Sequence, residues 1–320
     1  MHEQVTPAGK DGRAPDAPDA ADAAPATSAA SDGNAAARHG FLFALAAYLL
    51  WGLLPLYMKL VAHIPAAEVV AHRAIWSVPV AGAVLLALGR TADLKAALRS
   101  RRSLSMAALT AAIISVNWGI YIWAIAVGRT VETALGYYIN PLVTVLLGAT
   151  LLGERLDRMQ VLAVALAVVA VTVLTVESGG VPWVSLSLAI TFAAYGYFRK
   201  TLPIGPSQGF FLEVLLLAGP SIVYVVWLEA SGKGHFFTDT AILLLAGPIT
   251  AIPLILYGFG AKMLRISTIG IMQYIAPTMI AVLAVYGFGE PFGGARIAAF
   301  ALIWLALVLY SWSVLFRRRT

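Results

Sequence analysis

The hydrophobic positions of this chain fall into ten blocks, each about as long as a membrane-spanning helix. A helix rises about 1.5 Å per residue, so roughly 20 apolar residues cross a hydrocarbon core about 30 Å thick. Clusters of glycine, proline and charge separate the blocks. The predicted spans are 41–60, 66–88, 104–127, 131–151, 159–176, 183–200, 207–228, 241–261, 267–287 and 296–316. The pattern therefore predicts an all-α integral membrane protein.

One motif occurs twice: Tyr-Ile-x-Pro, followed after eleven residues by Gly-Glu. The first copy runs from Tyr138 to Glu154 and the second from Tyr274 to Glu290. Equivalent residues are 136 positions apart, and five predicted spans separate them. Because five is odd, the second copy must cross the membrane in the opposite direction. The sequence thus predicts ten transmembrane helices as two inverted five-helix repeats, an arrangement typical of secondary transporters.

The repeats divide the chain into three parts. Residues 1–38 are rich in Ala, Pro, Asp and Ser and contain almost no large apolar residues. Such a segment cannot bury enough apolar surface to offset its ordering entropy, so it is predicted to be a disordered cytoplasmic tail. Residues 39–180 form the first predicted repeat and residues 181–317 the second.

Composition and charge agree with a membrane location. Hydrophobic residues make up 60% of the chain, charged residues 12%, and the mean hydropathy is +0.83. The net charge of +6 does not point to nucleic acid, because lysine and arginine mark the cytoplasmic loops of membrane proteins. With the N-terminus inside, fifteen basic residues lie on the inner side and four on the outer side. This bias predicts a bacterial inner-membrane protein with both termini in the cytoplasm.

Two matched prolines, Pro141 and Pro277, lie inside predicted spans. Each proline removes one helical hydrogen bond and displaces the backbone carbonyl four residues earlier. That carbonyl belongs to Tyr137 in the case of Pro141 and to Gln273 in the case of Pro277. In lipid such a carbonyl needs a partner from protein, water or solute. The prolines are therefore predicted hinges at a mid-membrane site, and a kink that serves only packing is the alternative. Polar and aromatic residues nearby complete the predicted solute site: Asn117, Tyr121, Tyr137, Tyr138, Asn140, Gln273 and Tyr274.

Ionisable residues inside spans give a second signal. A buried arginine such as Arg73 faces a cavity or a partner, and its fork of donors suits a carboxylate or phosphate. A structural ion pair of Arg73 with Glu68 or Glu213 is the alternative. Glu68 and His72 share a face of span 2 and can pair. Glu68, His72 and Glu213, the last on the equivalent span 7, are candidates for proton coupling. Purely structural roles are the alternative.

Other motifs add less. Glu154 and Glu290 each follow a glycine just past a span, and helix capping is favoured for them over solute contact. The segment from Gly205 to Gly209 matches G-x-S-x-G, but it lies in a short loop between spans, which argues against a hydrolase. The chain has no cysteine and no phosphate-binding loop or metal motif. No enzymatic activity, cofactor or metal is predicted.

Several strings carry a resemblance to a known family. N-W-G-I-Y-I-W-A begins at Asn117, L-G-Y-Y-I-N-P-L at Leu135 and L-G-E-R at Leu152. With W-G-L-L-P-L-Y in span 1, H-R-A-I-W-S in span 2 and Q-Y-I-A-P-T in span 9, the chain resembles the EamA family of the drug/metabolite transporter superfamily over about residues 40–316. More narrowly it resembles the RarD subgroup of chloramphenicol-sensitivity permeases. The resemblance implies ten helices in inverted repeats around a central cavity that opens alternately to each side.

Family relatives move amino acids, drugs, metabolites or nucleotide sugars. We therefore expect a secondary transporter, and more specifically an exporter of a small organic solute whose anionic group binds Arg73. A lipid-headgroup flippase or a non-transporting membrane scaffold is the alternative. The expected partners are the solute and the lipid bilayer, with protons and a second copy of the chain as further candidates.

Overall fold

The chain forms helices joined by short loops in a computed structural model, which describes residues 25–89, 91–151, 156–178, 180–201, 204–264, 268–269 and 272–316. No β-strand occurs within these ranges. The helices are α1 (Pro25–Leu60), α2 (Ala66–Ala87), α3 (Thr91–Arg99), α4 (Arg101–Ala126), α5 (Thr130–Leu151), α6 (Arg158–Ser178), α7 (Trp183–Thr201), α8 (Pro206–Ala230), α9 (Thr240–Leu244), α10 (Ala246–Met263), α11 (Ile275–Val282) and α12 (Gly294–Phe316). A π-helical turn, Leu283–Gly287, directly follows α11.

In the described part of the chain, eight segments are long and apolar enough to cross a membrane. They are Arg38–Leu60, Ala66–Ala87, Arg101–Ala126, Thr130–Leu151, Arg158–Glu177, Ser207–Ala230, Thr240–Gly260 and Gly294–Trp312. Helix α7, with 19 residues, and the shorter apolar helix Ile275–Gly287 lie at the two remaining predicted positions. The chain is thus a multi-pass membrane protein with helical spans, whereas the count of ten spans stays a prediction.

Helix α1 begins at Pro25, inside the segment predicted to be disordered up to residue 38. Alanine is the strongest helix former and is frequent between Pro25 and Arg38, so the helix extends into the predicted tail. Proline is well placed at a first helical position, because an N–H there has no partner within the helix. Residues 1–24 of the predicted tail lie outside the described residues.

Four helix pairs make the most extensive contacts: α6 with α12, α5 with α7, α1 with α10, and α2 with α8. Glycine allows two helix pairs to approach closely: α10 with α2, and α5 with α7. A Cβ at Gly247 on α10 would overlap the backbone carbonyl of Trp76 on α2, and one at Gly136 on α5 would lie 2.8 Å from Ser185 O on α7. Small residues commonly allow membrane helices to pack this closely. The bundle leaves a cavity at its centre.

The two matched prolines have different local structures. Pro141 lies in the interior of the continuous helix α5. Pro277 is the third residue of α11, and a turn at Gln273 and Tyr274 directly precedes that helix. A proline in a first turn costs no helical hydrogen bond, whereas an interior proline removes one. The predicted break is therefore present before Pro277, and α5 accommodates Pro141 without an interruption.

Candidate functional site

A cavity of about 580 Å³ lies between α1, α2, α4, α5, α7, α8, α10 and the start of α11. Its lining reaches Leu88 after α2, Arg199 near the end of α7 and Ser207 at the start of α8. We term this end of the bundle the open end. Towards the other end, the lining stops more than one helical turn before the helix ends, at Leu54 in α1 and Tyr121 in α4. The volume lies within the range of small-molecule sites.

Polar contacts hold the other end of the bundle together, and we term it the closed end (residues 59–68, 125–132, 231–242 and 288–293). Glu68 accepts a hydrogen bond from the backbone N–H of His235 at 2.7 Å, and its second oxygen lies 2.8 Å from His235 Nδ1. His63 Nε2 lies 3.2 Å from Asp239 Oδ1. A hydrogen bond from Thr238 keeps the pKa of Asp239 below its usual range, because it favours the charged carboxylate.

Glu290 joins the same end to helix α5. Its two carboxylate oxygens accept hydrogen bonds from the backbone N–H groups of Thr130 at 2.7 Å and Val131 at 2.9 Å. The first N–H groups of a helix have no intrahelical acceptor and lie at the positive end of the helix dipole. The predicted capping role is thus confirmed for Glu290, and the capped helix belongs to the other predicted repeat. Glu154 lies outside the described residues.

Arg73 lines the deep part of the cavity, and only 4% of its surface is exposed. Its Nε donates to Thr250 Oγ1 at 2.9 Å, and its Cζ lies 4.3 Å from the centre of the Trp118 ring. Its Nη1 has no hydrogen-bond partner. The alternative of a structural ion pair with Glu68 or Glu213 is wrong, because those carboxylates bind other residues. Nη1 of Arg73 is therefore a buried donor without an acceptor in this conformation.

Two predicted amides, Asn117 and Asn140, also line the cavity, and both donate to α7. Asn117 Nδ2 donates to Leu188 O at 3.1 Å and to Thr191 Oγ1 at 2.8 Å, and Asn140 Nδ2 donates to Ala189 O at 3.1 Å. Tyr137, another lining residue, donates to Asn117 Oδ1 at 3.4 Å. These contacts tie α4 and α5 to α7. The amides thus shape the wall more than they offer donors to a solute.

Aromatic rings form much of the remaining wall. Tyr121 lines the cavity with a hydroxyl that has no hydrogen-bond partner. Tyr48, Trp51 and Tyr257 form a cluster with ring centroids 5.6 to 6.0 Å apart. Gln273 is also a lining residue, as predicted. Rings with polar tips provide stacking surface and single donors, which suits an organic solute.

Tyr138 and Tyr274 were predicted to face the solute, but they lie outside the cavity lining, as does the hinge candidate Pro141. The hydroxyl of Tyr138 lies 2.5 Å from Thr278 Oγ1. Its ring stacks on Tyr274 with a centroid distance of 6.3 Å. These tyrosines therefore join α5 to the segment that begins α11. The other hinge candidate, Pro277, does line the cavity.

Glu68 belongs to the closed end and His72 lies one helical turn from it in α2, and neither residue lines the cavity. The indole N–H of Trp76 donates to His72 Nδ1 at 3.1 Å. That N–H can only donate, so Nδ1 of His72 is the acceptor of this contact, and the buried Nε2 has no hydrogen-bond partner. The expected pair between Glu68 and His72 does not form, since Glu68 binds His235. The ring of His72 stacks on Phe236, so both side chains hold the loop before α9.

Glu213 lines the cavity towards the open end, where two residues of α7 bind its carboxylate. Arg199 forms an ion pair with it, and Tyr195 donates to Oε2 at 3.1 Å. Sequence reasoning missed Arg199, because an arginine at the end of a span counts as a loop charge. A signal was available, since Tyr195 and Arg199 are four residues apart and share a helix face. Nothing in the sequence pointed to Thr250.

Comparison with known proteins identifies the family. The model of the EamA-like transporter family matches residues 38–176. Protein RarD of Streptomyces exfoliatus is 44% identical over 282 residues, which cover 87% of this chain and 90% of that protein. The chain belongs to the EamA-like transporter family. Within it the chain falls in the RarD group, which confirms the resemblance seen in the sequence.

Further relatives agree with this family. An uncharacterized transporter of Pseudomonas aeruginosa is 41% identical over 283 residues, 87% of this chain and 95% of that protein. Protein RarD of Escherichia coli (strain K12) is 37% identical over 286 residues, 88% of this chain and 97% of that protein. A solved crystal structure with 24% identity has a TM-score of 0.55 and covers 89% of this chain and 98% of that chain, so the fold is shared. The chain is a membrane transporter of the drug/metabolite superfamily.

Proposed function

We propose that the chain is an inner-membrane secondary transporter that exports a small organic solute with an anionic group by alternating access. Arg73 carries the proposal. Its guanidinium is buried in a central cavity, and its Nη1 has no acceptor within the protein. A buried cation without a counter-ion is costly, and an anionic solute would supply the missing acceptor. The arginine fork suits a carboxylate or a phosphate.

The rest of the wall supports a solute with an apolar or aromatic body. The Trp118 ring lies beside Arg73, and the cluster of Tyr48, Trp51 and Tyr257 lies on α1 and α10. Among the described lining residues the charged ones are two arginines and one glutamate, a net charge of +1. One monoanionic solute would balance this charge. Amino acids, metabolites and drugs with one acidic group fit the description.

The packing of the helices supports the inverted repeat. In the proposed alignment, α1 corresponds to α7, α2 to α8, α4 to α10, α5 to α11 and α6 to α12. Exchange of the repeats converts the α1–α10 contact into α7–α4 and the α5–α7 contact into α11–α1, and all four contacts occur. The α2–α8, α5–α11 and α6–α12 contacts are converted into themselves. This pattern is expected for a pseudo-twofold axis in the membrane plane.

Individual residues 136 positions apart support the same axis. Tyr138 and Tyr274 are equivalent, and their rings stack on each other, as expected for residues beside a twofold axis. Other equivalent pairs line the cavity together: Ile114 and Thr250, Trp118 and Leu254, Tyr121 and Tyr257, Tyr137 and Gln273, and Asn140 and Ala276.

The two ends of the bundle support alternating access. The cavity reaches the open end, and polar contacts hold the closed end. The bias of loop charges supports a cytoplasmic location of the open end, so this conformation would be the one that loads solute from inside. Exchange of the local structures at Pro141 and Pro277 would then open the closed end. Glu213 is the best of the three candidates for proton coupling, because it lines the cavity while Glu68 and His72 do not.

Solute exchange in proteoliposomes tests the proposal. The panel contains amino acids, nucleosides, chloramphenicol, and aromatic carboxylates each paired with its neutral amide, with and without a pH gradient. We expect saturable flux of a carboxylate and not of its amide. Arg73→Gln should reduce that flux by about tenfold or more, because a hydrogen-bonded charge contributes about 1.5–3 kcal/mol. Arg102→Gln, which replaces an exposed arginine outside the cavity, is the matched control.

Two outcomes would contradict the proposal. Equal flux in Arg73→Gln and wild type would remove Arg73 from the solute site. Absence of flux across the whole panel, from protein shown to be folded, would favour a lipid substrate or a scaffold and make headgroup flipping the next assay.

A further inference from the structure

We propose that Arg199 is a second anion subsite, nearer the open end, and that Glu213 occupies it in this conformation in place of the anionic group of a solute. The subsite would take a carboxylate of the same kind that Arg73 binds. This inference rests on the proposed function, because it concerns the path of the same solute. It assigns Glu213 a role of its own, as a carboxylate that competes with the solute.

The geometry places Arg199 in a slot of the cavity wall. Arg199 and Glu213 both line the cavity, and their side chains are 18% and 2% exposed. Tyr195, also a lining residue, donates to the carboxylate of Glu213 at 3.1 Å. A Cβ at Gly209, on α8 one turn before Glu213, would lie 2.8 Å from Nη1 of Arg199. The guanidinium thus lies where the absence of a side chain on α8 makes room for it.

The two guanidiniums of the cavity differ in one partner. Arg73 contacts a hydroxyl, that of Thr250, and an aromatic ring, that of Trp118, but no carboxylate. Arg199 contacts the carboxylate of Glu213. A solute carboxylate that satisfies Arg73 is chemically equivalent to the carboxylate that already satisfies Arg199. At Arg199 the protein thus supplies a carboxylate from its own chain, whereas at Arg73 it supplies none.

Entry of a solute carboxylate at Arg199 requires Glu213 to release the guanidinium. Two carboxylates a few ångströms apart repel each other strongly in a low-dielectric site, and uptake of one proton removes this repulsion. The proton would come from water at the open end and form an O–H bond on Glu213, which could then donate to the solute. One proton would thus enter with each carboxylate that binds Arg199.

The ionisable groups of the cavity leave Glu213 as the proton acceptor. Tyr195 and Arg199 contact Glu213 directly. The other ionisable lining residues are Tyr48 on α1, Arg73 on α2, Tyr121 on α4, Tyr137 on α5 and Tyr257 on α10. On α3, which also packs against α8, Lys95 and Arg99 are exposed to solvent. Arginines and lysines are charged and tyrosines neutral near pH 7, whereas a carboxylate takes up a proton most readily.

Calorimetric titration of the purified protein with phenylacetate tests the subsite. Arg73→Gln first removes the deep site, so that the remaining binding reports on Arg199. We expect the affinity of this variant to weaken about tenfold for each pH unit of increase, because one proton is bound with each ligand. Adding Glu213→Gln should tighten binding at neutral pH by about tenfold and remove the pH dependence. Adding Arg199→Gln as well should abolish the gain, and the neutral probe phenylacetamide should respond to none of these changes.

A matched control replaces a carboxylate in another ion pair. Glu132 is bound by Arg129 at 2.6 and 2.8 Å and lies outside the cavity, so Glu132→Gln should leave phenylacetate binding unchanged. Tyr195→Phe is a milder variant in case Glu213→Gln folds poorly. It removes one partner of Glu213 and should tighten binding roughly threefold, as expected for one hydrogen bond.

The outcomes separate the subsite from the proposed function. No gain from Glu213→Gln, or a gain that persists without Arg199, overturns the subsite even if flux depends on Arg73. Flux that is independent of Arg73 contradicts the proposed function, while a gain that depends on Arg199 would still establish the second subsite.

Discussion

Buried charges in the described bundle differ in the partners that the protein gives them. Glu68 binds His235, Glu213 binds Arg199, and Glu290 caps a helix. Arg73 has a hydroxyl and an aromatic ring as partners and keeps one donor unused. A protein that evolved only to stabilise its fold would gain by pairing or replacing such a residue. The proposed anionic solute rests on this unused donor.

Glu290→Ala should destabilise the fold, because it removes the cap at the start of α5. The carboxylate serves two buried N–H groups at the start of α5, and each loses its acceptor in the variant. We expect the free energy of unfolding to fall by about 2 kcal/mol or more, since an unsatisfied buried donor costs about 1–3 kcal/mol. Glu290→Gln keeps one acceptor oxygen, but its amide nitrogen cannot accept from the second N–H group, so it should cost about 1–3 kcal/mol and less than Glu290→Ala.

Denaturant unfolding in detergent measures both changes. Glu177→Gln is the control, because Glu177 is an exposed glutamate at the end of another helix. Equal stability of Glu290→Ala and wild type would mean that other groups satisfy the start of α5.

Sequence reasoning found helices that line the cavity, but it did not find the direction in which each side chain points. Arg73, Asn117, Tyr121 and Tyr137 were predicted and line the cavity. Tyr138 was predicted on the same grounds and packs against α11, because neighbouring residues on a helix point about 100° apart. Which of two adjacent tyrosines faces the cavity is decided by the packing of α5. A single sequence does not contain that information.

Helices were predicted well where hydropathy alone decides. The spans that coincide with α2, α5 and α12 end within a few residues of the observed helices. The short helices α3 and α9 were not predicted, because neither has the length of a span. Likewise the span predicted for α1 starts at residue 41, where the apolar block begins, whereas the helix itself starts at Pro25. An alanine-rich segment continues a helix without being apolar enough to cross the membrane. Hydropathy thus finds spans, and helix propensity sets some of their ends.

Gly247→Ala should disrupt the contact of α10 with α2. Its new Cβ would overlap the carbonyl of Trp76, which is backbone and cannot rotate away. The helices would have to separate, and overpacking of this kind costs typically about 1–3 kcal/mol. The same exchange at Gly219, inside α8 with no atom of another helix near its Cβ position, should cost less, because there only the contact of the new Cβ with the following Pro220 is added.

Thermal unfolding of both variants in one detergent compares them directly. A lower midpoint for Gly247→Ala than for Gly219→Ala is expected. The reverse order would show that the α2–α10 contact has room to adjust.

At the scale of the whole molecule, the proposed inverted repeat relates the main helix pairs to one another, whereas the cavity lining reaches towards one end of the described bundle. In the proposed alternating-access cycle, exchange of the two repeats would turn the open end into the closed end. The other conformation would then give access from the opposite side. The contacts to be broken in the other conformation are then those of the closed end: Glu68 with His235, His63 with Asp239, and Glu290 with the start of α5.

Cross-linking at the closed end tests this whole-molecule motion. The chain has no cysteine, so His63→Cys combined with Asp239→Cys introduces two unique thiols at a contact of 3.2 Å between partly exposed side chains. A short bis-methanethiosulfonate reagent should join them and reduce solute flux to the level of empty vesicles, because the closed end could no longer open. Reduction of the link should restore flux. Each single variant treated with the same reagent is the control and should keep its flux, since nothing is joined. Full flux through a protein shown to be completely cross-linked would mean that this end does not open during transport, and alternating access by exchange of the two repeats would be wrong.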